Sequence, residues 1–428
     1  MYINSSYLFD KVKSSKSFVF FTIQWLFISF LVGALVGSAS AFFLWILDWA
    51  TLWRESHSWM LMLLPVGGTI IGLIYHYLGK DVVKGNNQLI DEFHNPTKVI
   101  PFRMAPIVLL CTVLTHIVGG SAGREGTAVQ MGGAISDQFT KLFGFDEKQR
   151  KILIVIGISA GFASVFGTPL AGTIFALEVL IIGRLRYEAL IPSLFSAIIA
   201  NYTCEAWHVK HTHYHVSFIP ELTPLHVLWA VLAGIFFGLA SIFFSKITHF
   251  WANFFKSKIS FPPLRPFIGG IVLFLAIWLV GTTKYIGLGV PTIVESFESK
   301  LGSFDFFLKI LFTSFTLGSG FKGGEVTPLF FIGATLGNAL SWFIPLPLSL
   351  LAGMGFVGVF SGSSNTPIAC TIMGIELFGI HAGGYIAIAC FIAYLFSGHT
   401  GIYTSQIIGS PKHNDFAHRQ GKRLHEIE

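Results

Sequence analysis

The run Gly119-Gly-Ser-Ala-Gly-Arg-Glu-Gly-Thr-Ala-Val-Gln-Met-Gly-Gly133 places one carboxylate, Glu125, between glycines in a chain that is otherwise mostly apolar. Glycine at 123 and 126 lets the backbone approach a ligand closely and present its N–H groups. The residues after Gly126 read as a helix, and the first turn of a helix leaves N–H groups unpaired, a ready site for an anion. An ionised Glu125 can fill that site itself and can leave it when protonated or displaced. That is the outline of a gated anion path. An ionisable side chain inside a membrane run is expensive without a partner, which marks Glu125 as functional. A second glycine-rich stretch, Gly318-Ser-Gly-Phe-Lys-Gly-Gly-Glu-Val-Thr-Pro328, carries Glu325. Glu325 divides between a proton or gating role and a structural one beside Lys322. Arg124 reads as a pairing residue or the lining of an entrance.

Other side chains suggest other chemistry. Ser361-Gly-Ser-Ser-Asn-Thr offers a nucleophile, but no His stands at a suitable spacing on a neighbouring apolar helix, which argues against an intramembrane enzyme. His208, His211, His213 and His215 have a spacing that suits a metal, yet they lack Cys or carboxylate partners, so a hydrated linker is the simpler reading. Cys111, Cys204, Cys370 and Cys390 fall in or beside apolar runs and read as reduced core residues. Neither a cofactor nor a metal is expected.

The elements that position these residues are membrane helices. The chain has 428 residues, 53% hydrophobic and 12% charged, with 44 Phe and 45 Gly; soluble domains carry about 25% charged residues. Mean hydropathy is +0.68, and several apolar runs reach the roughly 20 residues needed to cross hydrocarbon. The fold class is therefore an all-α polytopic membrane protein. The net charge of +6 lies mainly in tails and loops, which fits topology and lipid contact and argues against nucleic acid. Residues 1–16 read as a cytoplasmic tail and 17–50 as the first span. Asn86 lies in a polar Gly-Asn-Asn interruption at 84–91 that reads, by itself, equally well as a surface loop. Residues 205–225 form a polar linker, and 411–428 a second basic, cytoplasmic tail.

The parts on either side of the linker, 17–204 and 226–410, repeat. Thr168-Pro169 and Thr366-Pro367 are each followed by Glu nine positions after the proline, at Glu178 and Glu376. Upstream, Gly123-Arg-Glu125 and Gly323-Gly-Glu325 match as Gly-x-Glu, 44 residues (125 to 169) and 42 residues (325 to 367) before that proline. Transporters built from two such halves place the ion site where broken helices converge near the midplane. Recurrence of Glu178 and Glu376 favours a structural role at helix ends. Whether the halves are parallel or inverted is open at this point.

Gly123-Arg-Glu-Gly126, Gly167-Thr-Pro-Leu-Ala-Gly172 and Gly324-Glu-Val-Thr-Pro328, in this order, resemble the CLC family of anion channels and proton-coupled antiporters over roughly residues 20–410. The resemblance implies two inverted halves with broken and re-entrant helices, a homodimer in the inner (plasma) membrane with both termini cytoplasmic, one anion path per subunit, and Glu125 as the gating glutamate. The departures from the chloride-transporting pattern carry information. Thr127 stands where a proline usually follows the motif. Asn86 takes the place of the chloride-coordinating serine of Gly-Ser-Gly-Ile-Pro. Val326 stands where Gly-x-Phe-x-Pro has Phe. Val179 stands where chloride antiporters carry an inner glutamate, and Tyr403 matches the family's central tyrosine.

This combination is similar to the fluoride/proton antiporter branch, with a chloride channel or chloride/proton antiporter as the alternative. The implied anion-binding set is Asn86, Gly123, Arg124, Gly126, Val326, Thr327 and Tyr403, with Glu125 and Glu325 for gating and proton coupling. Fluoride is small and strongly hydrated, and it needs close donors. Asn86 brings an amide, Thr327 a rotatable hydroxyl, and Tyr403 an O–H or a ring edge.

Overall fold

The computed structural model describes the backbone from Ser5 to Ile427 and the side chains of residues 22–427. Sixteen α-helices, with short 3₁₀ turns and two two-residue strands, order the described residues. They are α1 (Ser5–Ser56), α2 (Leu64–Tyr77), α3 (Asn86–His94), α4 (Met104–Ile117), α5 (Glu125–Phe143), α6 (Glu147–Phe166), α7 (Pro169–Glu178) and α8 (Leu190–Ala206). After the linker come α9 (Pro224–Lys258), α10 (Leu264–Val280), α11 (Val290–Glu298), α12 (Asp305–Gly318), α13 (Val326–Leu340), α14 (Leu348–Ser364), α15 (Pro367–Phe378) and α16 (Gly383–Phe396). Four stretches are long and apolar enough to cross a membrane: Thr22–Ser56, Ser58–Tyr77, Glu147–Phe166 and Pro224–Lys258. Others are shorter. A helix such as α4, with 14 residues, spans about 21 Å against roughly 30 Å of hydrocarbon. Such helices must end inside the protein, and their ends build the site.

The two series α1–α8 and α9–α16 repeat in order, and the breaks have the same chemistry. Pro169 and Pro367 each stand at the first position of a helix, where the missing N–H is not needed. Gly123 and Gly324 form an antiparallel bridge, exchanging N–H···O bonds of 2.6 and 2.7 Å. Helices α7 and α15 exchange carboxylates. Glu178 at the end of α7 accepts from Ile368 N (3.2 Å) and Ala369 N (2.8 Å) at the start of α15. Glu376 returns the arrangement to Leu170 N (3.0 Å) and Ala171 N (2.7 Å). Each carboxylate thus fills the anion site at the other helix's N-terminus. Such reciprocity is what a two-fold relation between the two repeats produces.

The bridge also corrects the register read from Gly-x-Glu. Gly123 pairs with Gly324, and α5 and α13 begin at Glu125 and Val326. The counterpart of Glu125 is therefore Val326, and Glu325 corresponds to Arg124. Equivalence of Glu125 and Glu325 was one residue out, because the Gly-x-Glu match starts at Gly323 whereas the backbone pairs Gly123 with its neighbour, Gly324.

Close helix crossings use glycine. At α5–α6, a Cβ on Gly132 would lie 2.1 Å from the Gly157 carbonyl oxygen; at α13–α14, one on Gly333 would lie 1.9 Å from that of Gly355. A buried ion pair locks the far end of α5: Arg150 Nε and NH2 donate to the two oxygens of Asp137, each at 2.8 Å, and Ile100 N donates to Asp137 at 2.8 Å. All four cysteines are free and buried.

Of the readings left open for the 84–91 interruption, the surface loop falls: from Asn86 it is helix α3. The tail at 1–16 is already helical from Ser5, so α1 starts earlier than residue 17; residues 1–4 and the side chains of Lys11, Lys13 and Lys16 lie outside the described residues. The C-terminal segment is not a free tail. Strand β2 (Ile407–Ile408) pairs in parallel with β1 (Ile181–Ile182). Lys412 Nζ is inserted among Asn365 Oδ1 (2.6 Å), the Tyr394 carbonyl (2.7 Å) and Ser397 Oγ (2.9 Å). Arg423 reaches Asp91 of α3 at 2.8 Å. The basic side chains find carbonyls and a carboxylate at helix ends, which draws the segment onto the membrane body.

Candidate functional site

The Gly123–Gly324 bridge brings the N-termini of α5 and α13 face to face, and Glu125 crosses from one to the other. Its side chain is 1% exposed. Oε2 accepts from Thr327 N at 3.0 Å and from Arg124 N at 3.1 Å; Oε1 accepts from Thr327 Oγ1 at 2.5 Å. The Arg124 guanidinium Nε stands 3.7 Å from Oε1 and is buried without a hydrogen-bond partner. The carboxylate therefore sits where an anion would bind, at the first turn of a helix from the other repeat. Each charge-assisted bond here contributes about 1.5–3 kcal/mol, and the helix end adds up to about 2 kcal/mol in a buried setting.

A third helix start adjoins this one. Gly85, with φ +58°, turns the chain into α3, so that Asn86 opens the helix. A Cβ on Gly126 would lie 2.9 Å from Asn86 Nδ2, so glycine is required for the close approach of α3 to α5. The Asn86 amide makes no hydrogen bond among the described residues, and its Oδ1 is buried. A cavity of about 160 Å³ opens beside it, lined in part by Asn86, Gln130, Lys322, Glu325 and Tyr403. Glu125 is not among the lining residues. Tyr403 is 4% exposed and stands edge-on to Phe175 at 6.3 Å. Its loop is held by Ile402 N to the Ser363 carbonyl (2.9 Å) and Ser405 N to Asn87 Oδ1 (2.9 Å). Val326 is buried at the first position of α13.

The structure thus groups Glu125, Thr327, Gly123, Arg124, Gly126 and Val326 at the seam, and Asn86, Tyr403 and Glu325 around the adjoining cavity. Thr127 is turned elsewhere: its hydroxyl meets that of Thr112 on α4 at 2.7 Å. Ser361 Oγ donates to the Cys390 carbonyl at 2.8 Å, a helix-packing contact. Of the linker histidines, His208, His213 and His215 are exposed and only His211 turns inward; among the described residues no three metal-ligating side chains converge.

Several residues escaped sequence reading. Gln130 and Tyr75 line the cavity, and Lys322 Nζ lies 4.4 Å from the Tyr75 ring centre. Lys309 is wholly buried and donates to the carbonyls of Tyr285 (3.2 Å) and Gly287 (2.8 Å). Gly287 N in turn donates to Gly120 O at 3.0 Å, which anchors the glycine motif. A lysine inside the apolar run of α12 was the available signal.

The voltage-gated chloride channel family model matches residues 67–398. The chain belongs to the CLC family. A CLC relative from Pseudomonas syringae pv. tomato, described as a chloride/fluoride channel protein, is 52% identical over 91% of this chain and 88% of its own. Among solved structures, a CLC-type fluoride/proton antiporter superposes with a TM-score of 0.88 at 35% identity, over 90% of this chain and 98% of that one. A slow cyanobacterial Cl⁻/H⁺ antiporter shares the CLC fold, with a TM-score of 0.77 at 19% identity over 94% and 96% of the two chains.

Proposed function

We propose that this CLC protein exchanges fluoride for protons across the inner membrane, expelling fluoride, as a homodimer with one path per subunit and both termini in the cytoplasm. The observation that carries this is the seat of Glu125 on the start of α13, held by the N–H and O–H of Thr327. Fluoride takes the same donors when the carboxylate leaves. Protonation turns Glu125 into a neutral acid with a weaker hold on that helix end, so proton uptake and fluoride binding favour each other. Asn86 and Tyr403 supply further donors, since both line the adjoining cavity and Asn86 Oδ1 has no hydrogen-bond partner among the described residues. Gly123 and Gly126 permit close backbone approach. Val326 leaves room beside Thr327, Arg124 steers the anion, and Glu325 provides a second protonatable group on the cavity side. The path lies between half-repeats 17–204 and 226–410, joined by 205–225.

The likeness to a fluoride/proton antiporter at 35% identity and TM-score 0.88 supports this reading. The decisive experiment is an ion-selective electrode assay on protein in liposomes, comparing fluoride and chloride efflux with and without a pH gradient. Proton-driven uphill fluoride movement, with little chloride movement, is expected. Equal or preferential chloride transport returns the chloride alternative.

A further inference from the structure

Two cavities adjoin at the end of α2, and both are lined by Tyr75, Val83 and Lys322. The inner one is the cavity of Asn86, Glu325 and Tyr403 beside the Glu125 seat. The outer one, of about 340 Å³, lies between the end of α2 and the start of α10. Its charged lining is basic: Lys80 and Arg265 besides Lys322, with His76 next to them and no carboxylate among the described residues. Glycine lets the two helices close on each other beside it, since a Cβ on Gly72 would lie 2.6 Å from Pro263 Cα.

Lys322 stands in the partition between the two spaces. Its backbone is pinned: Lys322 N donates to Thr115 Oγ1 at 3.3 Å, and Gly324, two residues on, is held in the bridge to Gly123. Its ammonium lies 4.4 Å from the centre of the Tyr75 ring and makes no hydrogen bond or ion pair among the described residues. Glu325, the carboxylate of the inner lining, is beyond ion-pair distance of it, and Lys84, the other lysine there, is already paired with Asp91 at 2.8 Å. The Gln130 side chain lines the same inner cavity and is 7% exposed. Its Nε2 would lie 3.2 Å from a Cβ on Gly85, so the amide stands beside the turn that opens α3. It too has no hydrogen-bond partner among the described residues. An ammonium and an amide turned into one enclosed space without partners are an incomplete shell. Water satisfies the amide but brings no counter-charge; a small anion accepts from both.

We infer that fluoride enters from the cytoplasm between α2 and α10, and that Lys322 with Gln130 holds it at a waiting site until Glu125 leaves the start of α13. With the N-terminus in the cytoplasm, the stretch Thr22–Ser56 leads out and Ser58–Tyr77 leads back, so the outer cavity opens on the cytoplasmic side. Its basic mouth raises the local concentration of anions. The Lys322 charge offsets the loss of hydration where the ion passes Tyr75 and Val83. This rests on the anion-transport reading and adds to it a place of entry.

The test uses full-length protein in liposomes with cytoplasmic fluoride varied, and calorimetry in detergent for affinity. Lys322→Met and Gln130→Leu are expected to weaken fluoride binding and to raise KM for cytoplasmic fluoride, about tenfold or more for Lys322→Met. The rate at saturating fluoride should stay within about threefold of wild type, and Lys322→Arg should keep near-native KM. Val83 is 53% exposed and the four native cysteines are buried, so Val83→Cys can be labelled selectively. A bulky thiol reagent there is expected to stop fluoride movement, whereas the unlabelled variant moves it normally. An unchanged KM in Lys322→Met, or a fall in saturated rate with KM unchanged, overturns the waiting site. Wild-type fluoride movement in labelled Val83→Cys overturns the entry. If wild type carries chloride in place of fluoride while the same KM shift and block are seen with chloride, the fluoride reading fails and the entry stands.

Discussion

Replacing Glu125 with Gln changes one atom's chemistry while keeping the shape. In the native structure the carboxylate accepts from Thr327 N (3.0 Å), Thr327 Oγ1 (2.5 Å) and Arg124 N (3.1 Å). A glutamine has a single acceptor oxygen and no charge. Placed where Oε2 sits, that oxygen keeps the bonds from Thr327 N and Arg124 N in neutral form, and the Thr327 hydroxyl can turn to accept from the new NH2. Bonds to a charged group contribute about 1.5–3 kcal/mol and neutral ones about 0.5–1.5 kcal/mol, so the side chain loses on the order of 2–3 kcal/mol of its hold on the site. With tenfold for about each 1.4 kcal/mol, fluoride competing for the same donors should bind about 30- to 100-fold more tightly. The variant also cannot carry a proton. Calorimetry in detergent reads the affinity, and the electrode assay in liposomes reads the coupling. The expected outcome is tighter fluoride binding together with loss of uphill, proton-driven fluoride movement. Retained uphill movement, or unchanged affinity, would refute competition for one seat as the basis of coupling.

Three further outcomes follow from the packing. Glu178→Gln leaves one of two buried N–H groups at the start of α15 without an acceptor, which costs about 1–3 kcal/mol; the unfolding midpoint in detergent should fall, and Glu376→Gln should lower it similarly through α7. Asp137→Ala takes two acceptor oxygens from the buried Arg150 guanidinium, which keeps Glu92 (3.1 Å) and the Lys98 carbonyl (2.6 Å), and leaves Ile100 N without its acceptor; it should cost about 1–3 kcal/mol, read as a fall in the same midpoint. Asn86→Ser places at the start of α3 the residue type of the chloride-binding motif. Fluoride affinity should fall about 10- to 100-fold, the equivalent of one charge-assisted bond, with chloride flux rising; calorimetry and paired electrodes test it.

How much of this was legible beforehand depended on the length scale of the signal. Apolar runs and Gly or Pro breaks gave nearly every long helix, because each break removes a donor or permits a turn that the membrane interior punishes elsewhere. The two helices that were missed, α3 and α11, are nine residues each. Both are amphipathic and too short to stand out against longer apolar runs, and each follows a glycine of positive φ, Gly85 and Gly289. Grouping of Glu125 with Thr327 came from the resemblance to the CLC motifs, with the rotatable Thr327 hydroxyl as its physical support. What contacts them was not. The seat of Glu125 on the opposite repeat's helix, the inward turn of His211 and the burial of Lys309 depend on pairings across 22 to 202 residues of chain, to which local pattern is blind. The one-residue error between Glu125 and Glu325 has the same origin: two adjacent glycines look alike until a backbone bridge chooses one.

That choice of register leaves the seam with a single carboxylate. The backbone treats the two repeats alike: the bridge is reciprocal at Gly123 and Gly324, and α5 and α13 both present bare N–H groups at their starts. Had residue 326 also been a glutamate, two carboxylates would face each other across that bridge. Like charges so close cannot both ionise easily, so one would stay protonated or be expelled, and neither would report cleanly on fluoride. Valine at 326 removes the second carboxylate and its desolvation cost. Glu125 then has both helix starts to itself, as the proposed competition with the anion requires. The same asymmetry places Arg124 opposite Glu325, a cation beside the seat on one face and an acid beside the cavity on the other. A symmetric scaffold thereby acquires a direction from two side-chain substitutions, without any change in its helices.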